Sequence, residues 1–317
     1  MTSITSQITS FWHSQNEHWP FLREHVEALD QLEFSFISFQ DFSIRIQFNP
    51  ARIISSGAKV DKASLEKRPC FLCVSNRPAE QEILDILLGY DVLCNPFPIF
   101  HGHLTIPSKS HQLQTIQGKI GDMLHLCELL SDYEVFYNGP ECGASAPDHF
   151  HFQAAPSKVM PLFEDLDNPA LTGPLYSSDT LKVCYCPNYL RSAILLEAVN
   201  PQSIVEAFQL YYNLQAAVQP THIEPMFNLI ARYQSGVHSL VIFPRKAHRP
   251  SYYFETGEQQ ILLSPGAVDM GGLLVVSRKE DLSRITSDVV RSMFDEISLN
   301  DFSLLHAFRD MVLRDKI

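Results

Sequence analysis

The first thirty residues carry apolar side chains at near-helical spacing, interrupted at Pro20. The apolar positions are Ile4, Ile8, Trp12, Trp19, Leu22, Val26 and Leu29. Apolar residues that recur every three or four positions form one face of a helix, and proline ends one helix or begins the next. The pattern therefore predicts an N-terminal helical segment over residues 1–30, made of one or two amphipathic helices that pack on the body of the protein.

Beyond residue 30 the pattern changes between strand and helix periods. Residues 34–48 alternate Phe and Ile with polar side chains, which predicts two strands joined at Asp41. Apolar positions between His111 and Leu130 follow a helical period and predict one long helix. Asn200-Pro201 predicts the start of another helix, because Asn caps helix N-termini and Pro suits the first helical position.

Two segments of the chain are similar to each other. Residues 103–111 (HLTIPSKSH) and residues 240–248 (LVIFPRKAH) both run from an apolar strand into Pro-x-Lys-x-His. Asn95 and Asn228 precede these segments at a similar offset, in a chain of 317 residues, about two domain lengths. We therefore predict a duplicated unit, with a first half over residues 31–160, a second half over residues 161–317, and a Pro- and Gly-rich connection at 155–180.

Composition and charge exclude several classes of protein. Hydrophobic residues make up 45% of the chain, enough for a full core, and 24 Lys+Arg against 36 Asp+Glu give a net charge of −12. An acidic protein of this kind is not expected to bind nucleic acid polymers or membrane surfaces. The chain has no apolar run of about 20 residues and no secretory signal pattern. The seven cysteines, an odd number, are then expected to be reduced thiols or metal ligands in a cytoplasmic protein.

The sharpest motif is His-Phe-His-Phe-Gln at residues 149–153. In a strand, successive side chains point to opposite faces, so the pattern places His149, His151 and Gln153 on one face and the two phenylalanines on the other. A small-residue loop, Gly143-Ala144-Ser145-Ala146-Pro147, comes before it, and small side chains let backbone N–H groups approach an anion. An imidazole beside anion donors is the arrangement that attack on phosphorus requires.

A Cys-x-x-Cys pair, Cys70 and Cys73, is the second motif. Such a pair is typical of a zinc site, a redox pair or two packed thiols, and the pattern alone leaves these readings open. Zinc prefers four nitrogen or sulfur ligands, and His111 and His149 are available at the ends of predicted elements. A zinc ion there would tie the Cys-x-x-Cys loop to the strand that presents His151.

Together these motifs resemble the histidine-triad (HIT) superfamily. The Cys-x-x-Cys pair is similar to that of the galactose-1-phosphate uridylyltransferase branch, which includes nucleotide-sugar and diadenosine tetraphosphate phosphorylases. The string HFHFQA at 149–154 is especially similar to the GDP-hexose phosphorylases. The resemblance covers about residues 45–155 well and 225–280 more weakly. It implies an α+β, HIT-like fold with two tandem HIT-type halves, antiparallel sheets with flanking helices, that form an intramolecular pseudo-dimer.

The resemblance also implies roles for single residues. His151 is implied as the nucleophile that forms a nucleotidyl-histidine intermediate, and Gln153 as a phosphoryl ligand. Four residues are implied to bind phosphate: Asn138, Gly143, Ala144 and Ser145. The segment with Asn95 and Phe97 is implied to contact ribose and base. Independently of the resemblance, Arg52 follows Asn49-Pro50 at a predicted strand end and is expected to reach the nucleotide. Cys70, Cys73, His111 and His149 are implied as a structural zinc set.

Substrate identity stays open at this point. Asp148 stands where the uridylyltransferases have proline, and the GDP-hexose string and the Cys-x-x-Cys pair belong to different branches. The leading expectation is a transferase that acts on a nucleotide sugar, with phosphate or a sugar 1-phosphate as acceptor. The alternatives are an Ap4A-type dinucleoside polyphosphate phosphorylase and a non-catalytic nucleotide-binding zinc protein. One active site per chain is expected, in a monomer or homodimer, since the second half has no His-x-His-x-Gln.

Overall fold

The computed structural model describes residues 4–53, 62–315 and 317. The helices are α1 Ile4–His18, α2 Pro20–Leu29, α3 Lys62–Lys67, α4 Ile120–Leu129, α5 Leu162–Leu166, α6 Pro201–Val218, α7 Ala267–Met270, α8 Lys279–Leu282, α9 Ser287–Ile297 and α10 Phe302–Asp315. The strands are β1 Glu33–Ser38, β2 Ser43–Phe48, β3 Leu84–Leu87, β4 Tyr90–Cys94, β5 Leu104–Pro107, β6 Tyr133–Asn138, β7 His151–Pro156, β8 Gly173–Ser177, β9 Lys182–Tyr185, β10 Ile194–Ala198, β11 Phe227–Gln234, β12 Val237–Pro244 and β13 Leu273–Val276. None of the described helices combines the length and apolar character needed to cross a bilayer.

One large antiparallel sheet organises the molecule. Its strand order is β3-β4-β5-β7-β6-β11-β12-β10-β9-β8, and a smaller sheet has the order β1-β2-β13. In the small sheet β13 runs parallel to β2, so the strand after Gly272 is held against the strand before Asn49. The predicted α+β fold with antiparallel sheets and flanking helices is confirmed.

The large sheet contains the same sequence of elements twice. The run β3-β4-β5-α4-β6-β7 is repeated as β8-β9-β10-α6-β11-β12, and the two runs meet where Asn138 of β6 lies opposite Asn228 of β11. This order makes β12 the counterpart of β7, whereas residues 103–111 lie on and after β5. The two Pro-x-Lys-x-His segments therefore do not occupy equivalent places, although the tandem arrangement that they suggested is present.

Several element boundaries differ from the sequence pattern. The long helix expected from His111 begins only at Ile120, because Gly118 has a φ of +74° and the chain before it is irregular. The expected connection at 155–180 contains α5 and β8. The domain boundaries themselves stay a prediction. Asn200 does cap α6 as expected, since its side chain accepts a hydrogen bond from the N–H of Gln202.

Two apolar cores cover the two faces of the large sheet. One face packs against α1, α2, α4, α6 and α10, and Phe150 and Phe152 are buried in that core. The opposite face packs against the small sheet and α7 and α9. Because side chains alternate along β7, His151 and Gln153 point to the side of the sheet that faces the small sheet, α7 and α9.

Candidate active site

A cavity of about 980 Å³ opens on the side of the large sheet to which His151 points. It lies where the two halves meet, and its walls come from α2, from the loops around residues 95–99 and 143–145, from β7, and from residues 248–269. Nine residues expected to act on the substrate line it: Arg52, Asn95, Phe97, Asn138, Gly143, Ala144, Ser145, His151 and Gln153. The fold thus brings the expected set together, while the role of each residue stays a prediction.

His151 is placed as a neutral imidazole with one nitrogen available. Its Nδ1 lies 2.9 Å from the backbone oxygen of His149 and donates to it, which leaves Nε2 for a ligand. Burial lowers the pKa of His151 to about 4, so the ring is uncharged near neutral pH. The strand begins at His151 itself, and His149 lies in the preceding turn. The expectation that both histidines line one surface is therefore wrong.

Gln114 holds the backbone around His151, and the sequence reasoning did not single it out. Its Oε1 accepts a hydrogen bond of 2.7 Å from the N–H of His151. Its Nε2 donates to the backbone oxygens of His151 and Asn138, both at 3.0 Å. The side chain is almost fully buried, so it clamps the start of β7 to the end of β6. Its contacts span 24 to 37 positions, which no local pattern reveals.

His103 orients the amide of Gln153. The Nδ1 of His103 accepts from the N–H of Ile99 at 3.2 Å, so Nε2 carries the proton and donates to Oε1 of Gln153 at 2.9 Å. Burial, with a smaller effect of Arg52, lowers the pKa of His103 to about 3 and keeps this tautomer neutral. With its oxygen occupied, Gln153 turns its NH₂ group toward the cavity as a hydrogen-bond donor.

Replacing His103 with phenylalanine is expected to lower the turnover of a nucleotide substrate by about 10- to 100-fold, because Gln153 loses the donor that fixes its amide. The ring volume is kept, so the packing against Phe100 should persist. The decisive measurement is a double-mutant cycle with Gln153→Ala. In the Gln153→Ala background, His103→Phe should lower turnover little further. His101→Ala, which alters an exposed neighbouring histidine, should leave turnover unchanged. Full additivity of the two losses would contradict the prediction.

The small-residue loop is held against the second half of the chain. Gly143 has a φ of +96°, and a Cβ there would lie 2.9 Å from the Cα of Gly266. Asn138 is fixed from the same side, since its Oδ1 accepts from Asn228 Nδ2 at 2.8 Å and from the N–H of Ala267 at 2.7 Å. The oxygen of Asn138 is thereby used, and its NH₂ group is the part that can donate to a ligand oxygen.

Gly143→Ala is expected to destabilise the protein by about 2–3 kcal/mol, since the methyl group adds a backbone clash to the strain of a positive φ. Gly118→Ala is the matched control, because its φ is +74° and nothing lies within 4 Å of its added Cβ. Gly118→Ala should lower the free energy of unfolding by only about 1 kcal/mol, because only the backbone strain is added. If urea unfolding gave the same loss of unfolding free energy for the two variants, the contact with Gly266 would be unimportant for stability.

Cys70, Cys73, His111 and His149 come together beside the active-site strand. Their ligand atoms all lie within 4.8 Å of one another, as the sequence motifs predicted. The Sγ–Nδ1 distances are 3.3 Å for Cys70 with His149 and 3.3 Å for Cys73 with His111, and the two Nδ1 atoms are 3.3 Å apart. Bond lengths of zinc to sulfur and nitrogen put ligands of a tetrahedral ion about 3.3–3.8 Å apart. The Nε2 of His149 donates to the Ser108 oxygen at 2.8 Å, which leaves Nδ1 to bind a metal.

Comparison with known proteins supports this architecture. Residues 11–156 match a family described as "Domain of unknown function (DUF4922)". No curated protein matches the chain by sequence. The crystal structure of yeast Ap4A phosphorylase Apa2 superimposes with a TM-score of 0.58 at 17% identity, covering 88% of this chain and 96% of that one. The same enzyme in complex with Ap4A gives 0.57 at 16% identity, covering 89% and 97%. This chain has a HIT-like fold.

The N-terminal helices contribute to the cavity of this HIT-like fold. Trp19, the residue just before α2, and Phe21 of α2 line it, although the N-terminal segment was expected only to pack on the body of the protein. The ring of Phe97 lies edge-on to Phe21 at 5.4 Å and to His25 at 5.0 Å between centroids. Phe71, on the Cys-x-x-Cys loop, is 45% exposed in the cavity wall. The accessible rings of Phe21, Phe71 and Phe97 are surfaces on which a planar base can stack.

Arginine side chains from both halves of the HIT-like fold line the cavity or support its wall. Arg52 donates to the Phe97 oxygen at 2.8 Å, and Arg68 forms an ion pair of 2.8 Å with Asp148. Arg245 is fully buried and donates to Asn228 Oδ1 and to three backbone oxygens, those of Pro265, Ala247 and His248. It therefore supports Asn138 through Asn228.

Proposed function

We propose that the protein is a nucleotidyltransferase that acts on a nucleoside diphosphate sugar through a nucleotidyl-His151 intermediate. The observation that carries the proposal is the neutral, buried His151, whose free Nε2 faces the cavity. That cavity is lined by the small-residue loop at 143–147, from here on called the phosphate loop, and by the NH₂ group of Gln153. A neutral imidazole nitrogen is a competent nucleophile, and preorganised donors stabilise the charge that develops on the nonbridging oxygens.

Two transfers through one histidine make up the reaction. In the first, Nε2 of His151 bonds to the α-phosphorus, the bond from that phosphorus to the bridging oxygen breaks, and a sugar 1-phosphate leaves with the electron pair. In the second, an oxygen of phosphate or of another sugar 1-phosphate attacks the same phosphorus, and the electron pair of the N–P bond returns to Nε2. Gln153, Asn138 and the N–H groups near Ser145 hold the nonbridging oxygens in both transfers.

A dinucleoside polyphosphate is the second candidate substrate. It is favoured by the likeness in fold to yeast Ap4A phosphorylase, which covers nearly all of both chains. The nucleophile and the two transfers would be the same, and the leaving group would be a nucleotide in place of a sugar phosphate. Both substrates present a nucleoside, for which Asn95, Phe97 and Arg52 form the binding surface.

A zinc ion is proposed at Cys70, Cys73, His111 and His149. When bound, it supplies a structural crosslink between three segments and takes no part in the transfer.

All seven cysteines are unpaired thiols, which fits a reducing compartment such as the cytoplasm. Pairing of β6 with β11 within one chain is the contact that favours a monomer over a homodimer.

The test is a substrate panel with a direct search for the intermediate. UDP-, GDP- and ADP-sugars and Ap4A are incubated with inorganic phosphate and scored for phosphorolysis, while intact-protein mass is recorded without phosphate. We expect the mass of one nucleotidyl group on His151 with the true substrate. Binding of nucleotides without any adduct or turnover across the panel would favour a non-catalytic nucleotide-binding protein.

A further inference from the structure

Arg249 reaches the cavity from the second half of the chain. It lines the same cavity as His151, with its guanidinium 4.1 Å from the centre of the Tyr253 ring. Its Nε donates to Ser264 Oγ at 2.8 Å. These two contacts fix the plane of the guanidinium and leave its two terminal nitrogens for a ligand.

The charge of Arg249 is not neutralised by the protein. Within residues 4–53, 62–315 and 317, no carboxylate forms an ion pair with it, whereas Arg68 is paired with Asp148 and Arg52 faces Asp269. The chain as a whole carries −12, so this unpaired arginine gives the cavity a local positive charge. An unpaired guanidinium with a free fork favours a bidentate anion such as phosphate.

Arg249 is also close to the phosphate loop. Ser264, its hydrogen-bond partner, is two positions before Gly266, against which Gly143 packs. The loop and Gln153 are already assigned to the phosphoryl group that His151 attacks. A cation presented from the opposite half of the chain is then placed for the next phosphate along the substrate.

We propose that Arg249 binds the phosphate group adjacent to the transferred one: first the leaving phosphate and then the acceptor phosphate that takes its place. The proposal rests on the proposed function and specifies its acceptor site. Because the acceptor attacks along the direction in which the leaving group departed, one binding residue serves both transfers. Arg249 acts only by charge and hydrogen bonding, so every bond change stays at the phosphorus and at Nε2 of His151.

The test compares nucleotides with one and with two phosphates. AMP and ADP, GMP and GDP, and UMP and UDP are titrated into the wild type, Arg249→Gln, Arg249→Lys and Lys246→Gln. Lys246 is an exposed neighbouring cation that does not line the cavity, so its variant is the matched control. We expect Arg249→Gln to weaken diphosphate binding by about 10- to 100-fold and to leave monophosphate binding unchanged. Arg249→Lys should recover part of the loss, since it keeps the charge but not the fork.

The outcomes separate this inference from the proposed function. Equal diphosphate binding in the wild type and Arg249→Gln would overturn the role of Arg249 while leaving the nucleophile untouched. Equal loss of monophosphate and diphosphate binding in Arg249→Gln would also overturn it, because Arg249 would then support the nucleotide site as a whole. No binding of any nucleotide by the wild type would instead contradict the proposed function. Where a substrate is found, the KM for inorganic phosphate should rise by the same factor in Arg249→Gln.

Discussion

Replacing His151 with alanine is expected to lower nucleotidyl transfer by about 10⁴-fold or more and to remove the covalent intermediate. Among the described residues that line the cavity, the other imidazole is that of His248, which comes from the second half of the chain. Of the remaining nearby histidines, His103 donates to Gln153, and His149 is turned toward the two cysteines. In the proposed mechanism, Nε2 of His151 forms the bond to phosphorus in both transfers, so its loss removes the two together. The measurement is phosphorolysis of the best substrate, with intact-protein mass for the adduct.

His306→Ala is the control for this variant, since His306 is exposed on α10 and away from the cavity. It should keep full activity. Retained nucleotide binding by His151→Ala would show that the fold and the phosphate loop persist, so that the lost activity reports on chemistry. Substantial turnover by His151→Ala would contradict the covalent mechanism. So would a nucleotidyl adduct on His151→Ala with the same added mass as on the wild type.

The chemistry of the site could be predicted from the sequence where it depends on short spacing. The Cys-x-x-Cys pair and two histidines were expected to share a metal ion, and their ligand atoms do come together. The small-residue loop and His151 were likewise expected to share a site, and both line the cavity. In the Cys-x-x-Cys pair and in the small-residue loop, a few consecutive residues carry the signal, because backbone geometry over a loop or a strand is local. His111 and His149, each 38 positions further along, were assigned because zinc needs two more ligands.

The assignment of His149 shows how one element boundary changes an interpretation. Alternation alone placed His149 and His151 on one face, but the turn at Pro147-Asp148 delays the strand until His151. His149 is then free to turn its ring toward Cys70, while its backbone oxygen holds Nδ1 of His151. The two histidines have separate contacts because the chain is not extended between them.

Residues whose function depends on distant partners could not be predicted. His103 was noted only as part of an apparent repeat, yet its function is set by Gln153, fifty positions away. Gln114 fell within a helix expected from periodicity, and Phe21 within a helix expected only to pack. The repeat itself was sought in the Pro-x-Lys-x-His strings, whereas the duplication lies in the order of strands and helices. Packing conserves the order of elements across a fold more readily than any short string of residues.

The second large effect is expected at the metal site. Replacing Cys73 with serine should lower bound zinc from one ion per chain to almost none and reduce the free energy of unfolding by about 3 kcal/mol or more. Cys73 is only partly buried, so the substitution removes a thiolate ligand with little change in packing. The measurements are elemental analysis of the purified protein and urea unfolding, and a chelator should destabilise the wild type in the same way.

Cys186→Ala is the matched control, because Cys186 is a buried thiol outside the metal set. Its free energy of unfolding should fall by about 1–2 kcal/mol because buried contacts are lost, and its zinc content should not change. Unchanged zinc content in Cys73→Ser would contradict the four-ligand site. Activity should fall in Cys73→Ser as well, since His149 both contacts the thiols and holds Nδ1 of His151 through its backbone oxygen. Zinc would then affect catalysis indirectly, because it would fix the turn that precedes β7, the strand that begins at His151.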